Sequence, residues 1–377
     1  MEDGPLTFQV VRLPDEACRL NVCDARIDRV SRSALADAAS SEEGRCLVIV
    51  GARRGRTDLL APCLYQIVSL PIKIGERVLR DIPIPSIRLT PVAQEGVHSE
   101  CDAVALFEWL RGSDPRRAVV LTDVSTESPL HAAALRAGAV GYRLTKEEPV
   151  KHLFHRLGAS YAAFFDERSS KYKNQLRRRE RIFRERFGEA YDLREYRRPG
   201  EVSAFLGAAS RISEKTYQAR LFGERVVNDD QSMRIHRAAA EAGSFRSFVL
   251  WHDATPLCFV LGHQRPDGTF EHRQTGFDPE WRDFAPGIMC NVLMLQRLYA
   301  DDRPQVLDFG SGDAEYKRLF ANESRLSANP VLIPRIARYY VPFELHQAAT
   351  AFNEVAVRLL TRWGVKDAIK RRLRRLA

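Results

Sequence analysis

Ten residues late in the chain, Asp308-Phe-Gly-Ser-Gly-Asp313-Ala-Glu-Tyr316-Lys317, bring two aspartates, a phenol and an ammonium together. The set suits transfer of an acyl group by direct attack of an amine or hydroxyl. One carboxylate takes the nucleophile's proton, and Lys317 stabilises the developing oxyanion or a phosphate on the donor. Tyr316 orients the acceptor or protonates the leaving group. The same residues also fit a plainer reading, in which Asp313 caps a short helix over 314–320, Tyr316 is core and Lys317 is solvated. Two further sets are candidates for binding. Asp278 and the turn Ala285-Pro286-Gly287-Ile288 introduce a helix and shape the loop before it. Lys171, Lys173, Arg177 and Arg178 belong to a run over 168–186 with nine Lys/Arg against two Glu. That run reads as a phosphate clamp or as a solvated basic face.

The elements that must hold these residues are legible in outline. A chain of 377 residues, 45% apolar and 28% charged, predicts two domains with real cores. No apolar run reaches the roughly 18–20 residues that cross a bilayer. The acidic N-terminus lacks a secretory h-region, so a cytoplasmic location is expected. Seven cysteines (18, 23, 46, 63, 101, 258, 290) form an odd, scattered set without CxxC spacing. They read as reduced, mostly core thiols, and with nine dispersed histidines no metal site is expected. The net charge of +9 is local: +7 over 168–186 and +6 over 362–377 leave −4 for the other 342 residues. Two anion-facing surfaces fit this better than a nucleic-acid coat, and the basic run has few aromatics for base stacking.

An irregular lead-in over 1–44 is expected to hold a strand near Phe8–Leu13 and a helix near 24–39. β-like runs follow at 46–50, 59–70 and 72–84, then a helix at 101–111, a strand at 118–122, a helix at 129–137 and a strand at 139–144. Sheet followed by α/β alternation predicts a mixed α/β domain. The basic helix of about 168–188 marks a boundary. Helices at 199–222 and 230–242 precede a meander, SFVLWHD (247–253), PLCFVLGH (256–263) and FEHRQTGF (270–277). A helix over 285–300, a strand at 306–310, a helix at 314–320, a strand at 329–335 and helices at about 343–363 and 365–376 complete the pattern.

VLDFGSGD (306–313) imitates the first motif of an S-adenosylmethionine methyltransferase. Only 64 residues follow Asp313, too few for the remaining βαβ units of a doubly wound sheet. Three strands, a helix, a strand and a helix instead give the order of an acyltransferase fold of the GNAT type. There the helix after the meander aims its N-terminus at the pyrophosphate of an acyl carrier.

Residues 168–320 resemble the CelD-like (BioF2-like) acetyltransferase branch of the GNAT superfamily, related to the FemAB peptidyltransferases. The match rests on Ser169-Ser-Lys-Tyr-Lys-Asn-Gln-Leu-Arg-Arg-Arg-Glu-Arg181, on Thr275-Gly-Phe-Asp-Pro through Ala285-Pro-Gly287, and on Asp308 through Lys317. The resemblance implies tandem GNAT-like domains, with a first unit over 45–165, a basic linking helix over 166–198, a second, catalytic-type unit over 199–345 and basic helices over 346–377. It implies an N- or O-acyltransferase taking an acyl group from acetyl-CoA or another acyl-CoA to a saccharide or a cell-surface polysaccharide precursor. Asp308, Asp313, Tyr316 and Lys317 would be catalytic. Asp278, Pro286, Gly287 and Ile288 would meet the cofactor, and Lys171, Lys173, Arg177 and Arg178 the substrate. Asp283-Phe-Ala-Pro-Gly departs from the usual Arg/Gln-x-x-Gly-x-Gly loop, which leaves an aminoacyl or other carrier as an alternative donor. A noncatalytic GNAT-fold module of a polysaccharide-synthesis assembly and a FemAB-like aminoacyl transferase are the alternative functions. Val365, Ile369, Leu373 and Leu376 recur at helical spacing among cations, which suggests weak contact with an anionic membrane.

Overall fold

The computed structural model describes residues 6–12, 47–54, 56–74, 77–91, 93–145, 148–216, 225–345 and 347–348. The expected helix near 24–39, Cys18, Cys23 and Cys46, and the closing helices beyond 348 lie outside the described residues.

Two mixed sheets flanked by helices carry the chain. The first is built from β1 (Thr7–Arg12), β2 (Leu47–Arg53), β3 (Arg56–Ile74), β4 (Arg77–Leu89), β5 (Ala118–Leu121) and β7 (Tyr142–Leu144), with β15 (Val331–Pro334) from the far end of the chain. Its order is β1-β2-β3-β4-β5-β15-β7. The second holds β9 (Tyr191–Tyr196), β10 (Ser247–His252), β11 (Thr255–Gln264), β12 (Thr269–Phe277), β13 (Val306–Ser311) and β14 (Glu323–Ala328), with β8 (Val150–Arg156) and β6 (Val124–Ser125) from the first half. Its order is β9-β10-β11-β12-β13-β8-β14-β6.

The two orders are the same device used twice. Four antiparallel strands lead to one parallel step, β4 to β5 and β12 to β13. Next comes a strand lent by the other half, β15 or β8, and then a strand of the unit's own, β7 or β14. Each sheet would otherwise leave a ladder of N–H and C=O groups open at this point, and the exchanged strand closes it. Strands therefore cross the expected boundaries at 165 and 199.

Nine helices lie wholly within the described residues: α1 (Ala93–Gly96), α2 (Glu100–Ser113), α3 (Pro129–Leu135), α4 (Tyr161–Asp166), α5 (Ser170–Phe187), α6 (Val202–Ser213), α7 (Asp230–Glu241), α8 (Pro286–Ala300) and α9 (Glu315–Phe320), and residues 337–345 are also helical. The basic helix α5 starts where Ser169 Oγ accepts the N–H of Tyr172 and stops at Gly188, whose φ of +59° suits glycine. Its apolar stripe, Leu176, Phe183 and Phe187, packs into the same core as Met289, Leu295 and Leu298 of α8. Helices α6 and α7 cover the opposite face of β10 and β11 through Phe205, Ile212 and Ala239. No helix among the described residues is long and apolar enough to cross a membrane.

Several short elements were not visible in the sequence: β8, β9, β14 and α4. The run at 72–84 also divides between β3 and β4 instead of forming one strand.

Leu332 of β15 is fully buried within the first unit's core although it stands near the other end of the chain. Replacing it by Ala is expected to cost about 2–5 kcal/mol. Chemical denaturation should show one cooperative transition moved to lower denaturant. A loss confined to a separate C-terminal transition would contradict the strand exchange.

Candidate active site at the strand fork

β12 and β13 run parallel for three rungs only, ending at Glu271 opposite Asp308. Beyond that rung β12 continues to Phe277 while β13 turns away, so the sheet forks. The turn has a local cause. β13 shifts register against β8 between Asp308 and Ser311, and Gly310 and Gly312 adopt φ of +73° and +95°. L-residues with side chains rarely take such values, which explains the glycines.

Asp308 stands at the fork. Its Oδ1 accepts the N–H of Gly310 at 2.7 Å and meets His152 Nε2 at 2.5 Å. The other ring nitrogen of His152, Nδ1, lies 2.7 Å from Oδ2 of Asp123. Asp123 follows β5 with a φ of +55° and also accepts the hydroxyl of Ser311. His152 on β8 thus sits between one carboxylate from each unit, with its side chain only 2% exposed. Burial alone would push its pKa down, but the two carboxylates outweigh burial and hold it above the ordinary value. For Asp123 burial pushes up, and His152, Ser311 and Arg325 together bring the net shift below the usual carboxylate range. Since both ring nitrogens are engaged, His152 is a clamp and Asp308 is the group with an oxygen to spare.

On the other side of the fork, Lys317 donates to the carbonyls of Ser311 at 2.7 Å and Gly310 at 3.3 Å. An ammonium has three N–H groups, so one remains. Burial lowers its pKa, against the pull of Asp308 and Asp123. Tyr316 packs its ring 5.4 Å from that of His272 and 6.0 Å from that of Phe309. Burial pushes its phenol up to about 12, so it is a neutral donor. Burial also brings His272 down to about 4, with Lys317 adding to the effect and Asn291 of α8 opposing it. The His272 ring packs against Phe309 and Tyr316.

Not every candidate joins this cluster. Asp313 is exposed and pairs with Arg318 at 2.8 Å. It does not cap α9, whose first flanking residue is Ala314, because the salt bridge draws the carboxylate outward. Asp278 is buried, receives Lys215 at 2.5 Å and caps the 3-10 turn Pro279–Phe284 through the N–H of Glu280. It shapes the loop from below. Lys171 and Arg178 are exposed on α5, Lys173 donates to the Asp166 carbonyl, and Arg177 lies over the Phe165 ring. Among the described contacts none of these four reaches the fork, although Arg179 of the same helix pairs with Glu315 of α9. Asp123 and His152 escaped the sequence reading, which named neither and read no strand over 150–156.

The start of α8 offers little to the pyrophosphate of coenzyme A. Ala285 is left-handed and supplies no cap, and Pro286 has no N–H. The amides of Ile288 and Met289 both turn to the Ala285 carbonyl, at 3.1 and 3.2 Å. Phe277 packs against Gly287, and no cation occurs between 283 and 288. These residues do not fit a diphosphate cradle. Among the described residues no group of three His, Cys, Asp or Glu is placed to hold a metal ion.

Residues 170–318 match the acetyltransferase (GNAT) domain family. No curated protein sequence matches the chain. Among solved structures, FemX superposes with a TM-score of 0.55 at 10% identity, over 82% of this chain and 96% of its own. A conserved protein of unknown function from Bacteroides thetaiotaomicron does so with a TM-score of 0.53 at 12% identity, over 87% of this chain and 99% of its own. At these identities the likeness is one of fold, and it extends through both sheets.

The clamp has a pH signature. With a raised folded pKa, His152 contributes stability fully below its ordinary value of about 6.5 and loses it as pH rises through the folded value. Asp123, with a lowered pKa, loses its contribution as pH falls through its own folded value. Asp308, Arg325 and Lys317 are the other charged groups around the pair. The difference in melting temperature between wild type and His152→Gln is expected to be largest in mildly acidic solution and to shrink toward about pH 9. A difference independent of pH would mean that the ring is not held as an imidazolium.

Proposed function

We propose that the chain is an acyltransferase whose acceptor, an amine or hydroxyl, lies under the fork with Asp308 as its base. The observation that carries this reading is the placing of Asp308: one oxygen is fixed by His152 and Gly310, and the residue lines a cavity between the two units. Within the GNAT superfamily the motifs favour the CelD-like branch and an acceptor of saccharide type.

The acceptor's nitrogen or oxygen attacks the carbonyl carbon of an activated acyl group, and a bond to that carbon forms. Asp308 accepts the proton released. The remaining N–H of Lys317 faces the negative charge that develops on the carbonyl oxygen. The bond from the acyl carbon to its carrier then breaks, and the neutral phenol of Tyr316 supplies the proton to the departing atom. Donor and acceptor would approach from opposite faces of the sheet and meet where β12 and β13 separate.

The bare α8 entrance favours a second reading for the donor, an aminoacyl group carried on tRNA, over acyl-CoA. Calorimetric titration with acetyl-CoA separates the two. Heat and a thermal shift support the coenzyme, while silence together with salt-sensitive copurification of tRNA supports the aminoacyl carrier.

Asp308→Asn should lower kcat by about 10²–10⁴-fold with the fold retained by circular dichroism. Unchanged turnover in that variant would remove Asp308 from the chemistry.

A further inference from the structure

The cavity between the units encloses about 380 Å³. That is the small end of the range for metabolite sites and suits a group the size of a monosaccharide or an amino acid. One wall is α1, with Gln94 and Glu95, and the other is the sheet, with Phe154, Asp308 and Arg325.

Three arginines line it, and two are already engaged. Arg156 forks onto Glu323 at 2.8 and 3.1 Å. Arg265 is held by Glu271 at 2.5 Å and by Asp267 at 3.4 Å. Arg325 differs. Its guanidinium lies 4.8 Å from the centre of the Phe154 ring, and that ring stacks on His152 at 4.3 Å. Its Nε donates to Ser327 Oγ at 3.3 Å and its Nη2 to the main-chain oxygen of Asp123 at 3.5 Å. Among the described residues no carboxylate stands within salt-bridge distance of it. The carboxylate of Asp123, the acid that feels its charge, is already taken by His152 and Ser311. A guanidinium held over an aromatic ring, with N–H groups left over at a cavity, is a ready receptor for a carboxylate or phosphate.

The ladder fixes how far this cation stands from the base. Asp308 faces Phe154 across one edge of β8, and Arg325 faces His152 across the other. The two backbones are two strands and two residues apart, about 12 Å. A molecule that touches both must carry its anion several bonds from its nucleophile.

We propose that this cavity binds an acceptor bearing an anionic group, a carboxylate or a phosphate, several bonds from its amine or hydroxyl, with Arg325 holding the anion and Asp308 facing the nucleophile. The inference rests on the acyltransferase reading for what happens next, but not for the binding.

Calorimetry on the full chain without any acyl donor tests it, with glucosamine 6-phosphate, 2-amino-2-deoxyglucuronic acid and glucosamine as probes. One or both anionic probes should bind about tenfold or more tighter than glucosamine. Whichever does so identifies the anion as phosphate or carboxylate. Arg325→Gln should erase that preference while leaving glucosamine binding unchanged, and Arg325→Lys should restore part of it. Equal affinity for the three probes in the wild type, no heat with any of them at millimolar concentration, or an undiminished preference in a folded Arg325→Gln would overturn the proposal. The wild-type ranking stands even if both variants fail to fold. Anion-selective binding without turnover on any acyl donor would leave this site intact and sink the transferase reading. Turnover without anion selectivity would do the reverse.

Discussion

One imidazole joins the two units and orients the carboxylate proposed as the base. His152 reaches Asp123 of the first unit with Nδ1 and Asp308 of the second with Nε2. A buried ring would ordinarily shed its proton, because desolvation penalises the charged form. Here the two carboxylates reverse that preference. Deleting one of them would leave the imidazolium with a single partner and loosen the tie between the two units. The exchanged strand and the candidate base therefore share one constraint. β8 must enter the second sheet between β13 and β14 to deliver His152, and only then is Asp308 fixed in one rotamer beneath the fork.

The topology is duplicated, yet the candidate site lies in one unit only, and the strand ends show why. In the first unit the parallel pair runs to the last residue of both strands, Leu89 opposite Leu121, so no fork opens. The helix after β4 closes the space further. Gly96 of α1 lies so tightly on the Leu60 carbonyl that no Cβ could be added. The entrance of α2 is sealed by the Ser99 side chain and bears Glu100 and Asp102 in its first turn. An anion finds neither free amides nor a favourable field there. In the second unit the strands separate after three rungs, with Asp308 at the point of separation. The first unit instead contributes Asp123 to the clamp and α1 to the cavity wall.

How much of this the sequence disclosed depends on the range of the interaction. The meander over β10–β12, the Pro-Gly entry of α8 and the basic stripe of α5 are local signals, and all three are found where periodicity and turn residues place them. β8 was missed because VKHLFHR has histidines where an alternating strand would show plain apolar residues, and both are buried by long-range partners. Asp123 was missed because its partner His152 arrives only through the strand exchange. A signal did exist in the duplication itself. AVVLTD places an aspartate after the parallel strand of the first unit, and VLD places one on the corresponding strand of the second. Asp313 misled for the opposite reason: its cap potential is local, but the helix starts one residue later, after Ala314, and its carboxylate pairs with Arg318.

Lys317 shows how a residue near the chemistry can serve the backbone first. Two of its N–H groups hold the carbonyls of Gly310 and Ser311, the residues that make the bulge after Asp308. Without that tie the left-handed glycines would have several conformations open to them, and the Gly310 amide would cease to orient Asp308. The same ammonium stands close enough to Asp308 and Asp123 for their charges to oppose the effect of burial on it. Its nitrogen is therefore already held in place before any negative charge appears on a reacting carbonyl. Groups fixed in this way stabilise a transition state without reorganising at the moment of reaction. The bulge, the lysine and the clamped histidine are for this reason a single arrangement: each holds the polar group that the next one needs.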